Sequence, residues 1–258
     1  MKNAVREKFL NKEQTIGTFL DFGSGEVAEA LGLAGFDYFI VDTEHSPFDL
    51  PETIACVKSA EVRGIVPFAR IKHIDRGNVL KMLDIGVKGL IVPGIRKKEE
   101  IEKLIEFGKY TPLGNRGFCP TRCSGWGYDD SMADGILAYT QRCNQDTMLL
   151  PQCETVDCLN MIEDVVAVKG IDGIFIGPFD LSLDMGIPAQ FDDPRFKAAL
   201  DRILNACKKA GKPCFVFAPN LPTAKKRLEQ GFDSVTYSAD LNQLIDTFSR
   251  DLSELRKK

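Results

Sequence analysis

The chain of 258 residues is poor in histidine, with two, and in tryptophan, with one, and its formal charge of −4 is small for its length. Its lysines and arginines form no basic stripe, so no nucleic-acid partner is expected. No apolar run approaches the roughly 20 residues that a membrane-spanning helix needs. The opening MKNAVREKFLNKEQ lacks the long apolar core of a secretory signal, and a cytoplasmic location is expected. Eight cysteines are scattered along the chain without one CxxC pair. Cys119 and Cys123 have a CxxxC spacing, but no second Cys/His pair follows to complete a zinc site, which favours reduced thiols. GxSxG, GxxxxGK[ST] and a strand-linked GxGxxG are all missing. Their absence excludes the nucleophile elbow, the phosphate-binding P-loop and the dinucleotide fingerprint. Lysine offers little for imine chemistry: Lys72 is the nearest candidate, and it is expected to point to solvent.

What is present is a regular alternation. Eight short apolar runs stand at 15–20 (TIGTFL), 38–42 (YFIVD), 66–71 (VPFARI), 89–93 (GLIVP), 148–153 (MLLPQC), 173–177 (GIFIG), 214–218 (CFVFA) and 234–238 (SVTYS). Most are uninterrupted, as parallel strands buried on both faces are. Helical patterns fill 25–33, 50–61, 76–83, 99–108, 158–168, 194–211, 222–231 and 240–255. The last is strongly amphipathic, with Leu241, Leu244, Ile245, Phe248, Leu252 and Leu255 on one face. Eight strands alternating with helices over this length predict a (β/α)8 TIM barrel as a single domain, 1–258; a doubly wound open sheet is the main rival. The interval 109–147 is too long for a simple crossover and is rich in glycine and turn residues, which marks it as functional.

In a barrel the catalytic groups lie at the carboxyl ends of the strands. Charge gathers there: Asp42, Glu44 and His45 after the second run, Arg70 after the third, Gln152 and Glu154 after the fifth, and Asp180 in the GPFD turn after the sixth, with Asn220 and Ser238 beyond. Glu154 and Asp180 follow neighbouring strands. Two carboxylates completed by water and substrate oxygens suit a hard divalent ion; the bland alternative is a helix cap and a surface glutamate. Arg70 either faces an anionic ligand or makes an internal bridge to Asp42 or Glu44. His45 suits proton transfer. Asp84 lies near a helix carboxyl terminus, where its charge opposes the dipole, and is either functional or merely solvated. His73 is read as a loop residue.

Six segments in order, AGFDYFIVDTEHSPFDL (34–50), the arginine of VPFARI, LDIGVKGLIVPGI (83–95), PLGNRGF (112–118), PQCET (151–155) and GIDGIFIGPFDLSLDMG (170–186), carry a resemblance that spans nearly the whole chain. The sequence resembles the HpcH/HpaI family of metal-dependent class II pyruvate aldolases. That resemblance implies a TIM barrel, a divalent cation (Mg2+, Mn2+ or Co2+), and a homohexamer built as a trimer of dimers, with the last helix packed on a neighbouring subunit. It implies Glu154 and Asp180 as metal ligands, and Gln152 with the backbone of Gly177, Pro178 and Phe179 as the seat of a pyruvate carboxylate. It places Arg70 at the keto oxygen and makes a proton-handling dyad of His45 and Asp84. The implied reaction is reversible retro-aldol cleavage of a 4-hydroxy-2-oxo acid to pyruvate and an aldehyde through an enolate. An oxaloacetate or oxo-acid decarboxylase using the same enolate is the alternative, and a non-catalytic oxo-acid binder a further one. The chain departs from the family pattern at Phe179, where a small residue is usual, and across 118–130, a segment implied to help form the aldehyde site.

Overall fold

Each of the eight apolar runs forms a strand in the computed structural model, which describes residues 2–257. The strands are β1 Thr15–Leu20, β2 Tyr38–Asp42, β3 Val66–Arg70, β4 Gly89–Val92, β5 Met148–Cys153, β6 Ile174–Ile176, β7 Cys214–Ala218 and β8 Ser234–Ala239. All neighbours pair in parallel and in sequence order, and β8 pairs back onto β1, so the sheet is a closed barrel rather than an open doubly wound sheet. The helices are α1 Ala4–Leu10, α2 Gly25–Leu33, α3 Leu50–Arg63, α4 Arg76–Asp84, α5 Lys98–Gly108, α6 Gly135–Asp146, α7 Val156–Asn160, α8 Ile162–Ala167, α9 Pro178–Asp184, α10 Pro194–Ala210, α11 Leu221–Glu229 and α12 Asp240–Leu255. None is long and apolar enough to cross a membrane, among the described residues. All eight cysteines are free.

Local chemistry explains several boundaries. Asp49 accepts the Leu50 N–H at 3.0 Å while Glu52 accepts the Asp49 N–H at 3.0 Å, a reciprocal cap that starts α3. Gly64, at φ 74°, ends it. Three features differ from the sequence expectation. The pattern over 158–168 breaks at Met161 into α7 and α8. The 109–147 interval contains α6, a helix the sequence pattern did not predict. Two short helices, α1 and α9, are further additions.

Two apolar cores result from the period-two alternation of the strands. One lies between sheet and helices and takes Leu20, Phe39, Val41, Ala69, Ile176 and Val216. The other fills the barrel and takes the alternate residues, Phe19, Tyr38, Ile40, Phe68, Leu150, Phe175 and Phe215. Near the amino end Tyr38 stacks on Phe68 (centroids 5.1 Å) and meets Phe215 edge-on (5.9 Å). The Tyr38 hydroxyl is satisfied by Ser234 and Thr236, each at 2.8 Å. Room for these rings comes from Gly17 and Gly89, where an added Cβ would collide with Tyr38 and Phe68 respectively. α1 lies beneath: Val5 joins the inner core, and Asn3 Nδ2 donates to the carbonyls of Asp146 (2.8 Å) and Lys88 (3.2 Å), just ahead of β5 and β4.

The terminal helix α12 is different. It buries no residue, and Leu244, Ile245, Phe248, Leu252 and Leu255 are all exposed. Its ties to the barrel come from its first turn, where Asp240 accepts the N–H groups of Asp21 (2.8 Å) and Phe22 (3.1 Å). The apolar face predicted from the sequence is therefore uncovered within one chain.

Candidate active site

The same alternation that fills the barrel also delivers polar groups to its mouth. Counting two residues on from Phe19, Ile40, Phe68, Leu150 and Phe175 gives Asp21, Asp42, Arg70, Gln152 and Gly177. All of these line one cavity of about 250 Å³ at the carboxyl ends of the strands. His45, Phe179 and Asp180 line it too. A neighbouring hollow of about 420 Å³ shares His45 and Asp180 and adds Glu44, Gly94, Thr155 and Glu154.

Arg70 is held as a fork on Asp42, with Nε to Oδ1 at 2.9 Å and Nη2 to Oδ2 at 2.6 Å, and its Nε also lies 3.3 Å from Glu44. Its guanidinium stands over the Phe19 ring at 4.9 Å. The internal bridge and the cavity-facing role left open by the sequence thus coexist: Nη1 makes no hydrogen bond among the described residues. Asp42 further accepts the N–H groups of Glu44 (3.0 Å) and His45 (3.4 Å), which fixes the start of the β2–α3 loop. His45 itself is mostly exposed, and the carboxylate nearest its ring is Glu44, at 3.7 Å.

Glu154 is buried at the end of β5. Its Oε1 accepts the Gly94 N–H at 2.6 Å, an approach that depends on Gly94 taking a left-handed φ of 68°. Its Oε2 accepts from Gln152 Nε2. Burial pushes the Glu154 carboxyl up to about 7, and the neighbouring Asp180 and Glu44 carboxylates add to the rise. Gly177 closes against this pair: an added Cβ would lie 2.6 Å from Gln152 Nε2 and 2.8 Å from Glu154 Oε2. Asp180 sits in the first turn of α9, exposed, and accepts no hydrogen bond among the described residues; the cap position expected as its bland role belongs to Gly177. Phe179 leans its ring against Phe191 (5.1 Å) and Phe217 (6.2 Å), forming a wall of the cavity rather than filling it.

This donor set fits a hard divalent cation. Glu44, Glu154 and Asp180 crowd negative charge around one hollow; Arg96, which also lines it, is engaged by Asp157 and Asp184, and Arg70 beside it by Asp42 and Glu44. Within this site the buried Gln152 Oε1 has no partner among the described residues. No three acidic, histidine or cysteine side chains gather tightly enough to hold an ion alone among the described residues. Water and substrate oxygens would complete its shell.

Asp84 is placed elsewhere. It ends α4, and in an alternating α/β barrel a helix end leads to the amino end of the next strand, the rim opposite His45. There Arg116 donates to its carboxylate at 2.8 Å, with the guanidinium over Tyr110 at 4.8 Å, so its charge at the helix terminus is neutralised by a buried arginine. The expected pairing of His45 with Asp84 is not formed within one chain. The 118–130 segment lies at that same far rim: Thr121 Oγ1 donates to the Asp84 carbonyl (3.2 Å), and Arg122 to that of Ile85 (3.0 Å). His73 is a loop residue bound to Asp75, and Lys72 is half-exposed near Asp49, as expected. Asn220 caps α11. Asp21, Gly94, Phe19 and Phe217 went unread in the sequence; for Asp21, Phe19 and Phe217 the signal was the inward parity of their strands, and for Gly94 there was none.

The model of the HpcH/HpaI aldolase/citrate lyase family matches residues 15–247. The chain is 32% identical over 238 residues, 90% of this chain and 85% of the other, to a hydroxypyruvate/pyruvate aldolase of Agrobacterium fabrum. It is 30% identical over 246 residues, 95% of this chain and 91% of the other, to a 4-hydroxy-2-oxo-heptane-1,7-dioate aldolase of Salmonella paratyphi C. A solved HpcH/HpaI aldolase from Desulfitobacterium hafniense superposes with a TM-score of 0.91 at 26% identity, over 98% of this chain and 96% of that one. The barrel, the acidic mouth and these likenesses lead to one assignment: the chain belongs to the HpcH/HpaI aldolase/citrate lyase family.

Proposed function

We propose that the chain is a cytoplasmic class II aldolase that cleaves a 4-hydroxy-2-oxo acid to pyruvate and an aldehyde, reversibly. The observation that carries this reading is the convergence of Glu154, Asp180, Gln152 and the Arg70–Asp42 fork on one mouth. Glu154 and Asp180 would hold a Mg2+, Mn2+ or Co2+ ion, which when bound supplies Lewis-acid polarisation of the 2-oxo group. Gln152 and the backbone of the Gly177–Pro178–Phe179 turn seat the substrate carboxylate. The unused Nη1 of Arg70 faces the oxygen that becomes negative as the enolate develops, and Asp42 keeps the guanidinium from swinging away. His45, exposed at the rim, moves the proton.

We assign the second member of the dyad, Asp84, to a neighbouring copy. Asp84 and the 118–130 segment occupy the rim opposite His45. That side of the chain exposes Trp126, Tyr128, Ile136 and Leu137, and α12 exposes its own apolar stripe. Surfaces of this kind favour a homo-oligomer, for which a hexamer is our proposal.

The test is pyruvate release from a panel of 4-hydroxy-2-oxo acids and oxaloacetate, after EDTA and after return of each metal. Metal-restored release from an aldol, lost in Glu154→Ala, is the expected result. Release from oxaloacetate alone would replace the aldolase with a decarboxylase. Activity that survives EDTA and is trapped by borohydride would refute the metal reading.

A further inference from the structure

The cavity spans the barrel mouth from wall to wall. Gln152, Gly177 and Asp180 form one end; Asp21, at the carboxyl end of β1, and Asn242, in the first turn after β8, form the other. β1 stands four strands from β5 in a ring of eight, so these ends face each other across the barrel. The oxo-acid chemistry uses only the first end and leaves Asp21 without a task.

Asp21 nevertheless points into the cavity by the parity of β1 and is half-buried. Its neighbours are already committed. Asp42 holds Arg70. Asp240 accepts the N–H groups of Asp21, Phe22 and Leu241. Asp21 receives only the Ser46 hydroxyl, at a long 3.4 Å on Oδ1, and its Oδ2 has no donor among the described residues. Burial, with Asp42 and Asp240 close by, pushes its carboxyl up to about 6, against the pull of Arg70. An ionised oxygen kept in such surroundings with an empty acceptor position is suited to a donor brought by a ligand. The charge pattern narrows the ligand further. Arg70 is the only arginine or lysine lining the cavity among the described residues; its Nε and Nη2 are taken by Asp42, and its Nη1 is assigned above to the oxo-acid half. A carboxylate at this end would meet Asp21 and no free cation, whereas a hydroxyl would meet the Asp21 acceptor and the Asn242 amide.

We propose that Asp21 is a specificity-determining residue for the aldehyde half, selecting a short, uncharged hydroxyaldehyde whose hydroxyl donates to its carboxylate. This inference rests on the aldolase reading. It sets the chain apart from the relative whose named substrate, a heptane-1,7-dioate, carries a second carboxylate at its far end. The step remains an ordinary aldol addition: pyruvate C3 loses a proton and bonds to the aldehyde carbon, and the aldehyde oxygen gains a proton.

The experiment measures kcat/KM of the Mn2+-loaded enzyme with pyruvate and three acceptors: glycolaldehyde, its hydroxyl-free analogue propionaldehyde, and succinic semialdehyde. The expected wild-type preference for glycolaldehyde over propionaldehyde is about ten- to a hundred-fold, the range of one hydrogen bond to a charged group. Asp21→Ala should bring that ratio towards one through the aldehyde KM and raise the relative use of succinic semialdehyde. Asp21→Asn, which preserves shape and one acceptor, should fall between. A wild-type ratio near one, or a ratio unmoved in both variants, overturns the assignment. Deuterium exchange into the pyruvate methyl group by the wild-type enzyme, without any aldehyde, separates the two failures. Exchange with an unmoved ratio removes Asp21 alone, while absence of both exchange and aldol product removes the aldolase reading and this inference with it.

Discussion

Replacing Arg70 by methionine tests whether the mouth is organised by its fork on Asp42. The two side chains are 11% and 5% exposed and joined by two hydrogen bonds of 2.9 and 2.6 Å. Methionine keeps most of the length of the stem but leaves the Asp42 carboxylate with only the backbone N–H groups of Glu44 and His45. Removing one partner of a buried pair costs about 3–5 kcal/mol, because the other charge is left without compensation. Asp42→Asn is milder, about 2 kcal/mol, since Arg70 retains Glu44 at 3.3 Å. The double variant should restore part of the loss, with a coupling energy of about 2 kcal/mol. The assay is guanidinium unfolding of all four proteins at one protomer concentration, with equal slopes as the condition for comparing midpoints. A cost below about 1 kcal/mol for Arg70→Met, or a coupling within about 0.5 kcal/mol of zero, would refute the reasoning. Such a result would mean that Arg70 is held by the surrounding fold and not by Asp42.

Three further outcomes follow from the geometry. Gly177→Ala has an ordinary backbone conformation available (φ −92°, ψ 90°), so its effect is purely the collision with Gln152 and Glu154; stability should fall by about 1–3 kcal/mol, and kcat/KM by about a hundred-fold in the pyruvate-release assay. Asp21 should make stability fall with rising pH. Its folded value of about 6 lies above the unfolded 3.8, so the fold favours the protonated form; that stabilisation is complete below pH 4 and lost as pH rises through 6. Asp21→Asn mimics the neutral form and should be more stable than wild type at pH 7.5 by about 1 kcal/mol, the full shift being discounted for solvent screening, with the gap closing by pH 4 in unfolding curves. Ile245→Glu combined with Phe248→Glu, on the uncovered face of α12, should lower the molar mass measured by light scattering without unfolding the barrel; an unchanged mass would remove that face from the interface.

The strands were legible because a parallel sheet buried on both faces leaves short, continuous apolar runs, as Tyr38–Asp42 does. Arg70, Glu154 and Asp180 were legible because charge beside such a run has few structural explanations. Asp21 was missed although it has the same form, one residue after β1 and two after the inward-facing Phe19, because Leu20 draws the eye to the end of the run. The pairing of Asp84 was not legible for a different reason. Sequence proximity to a strand does not tell which rim a helix end reaches, and only the direction of α4 puts Asp84 on the side away from His45. Gly94 left no trace at all, since its contribution is a backbone N–H offered across the mouth to Glu154.

The plug of Tyr38, Phe68 and Phe215, with α1 beneath it, makes the barrel a cup rather than a tube. Substrates, products and exchangeable protons can pass along its axis in one direction only, out through the opening by which they came. A molecule lodged across the mouth would therefore halt traffic in both senses, as a cork does, without touching any reacting group. The fitted rings set the depth of that cup. Shrinking Tyr38 would free Ser234 and Thr236 to bind water and would let a column of solvent rise towards the chemistry from below.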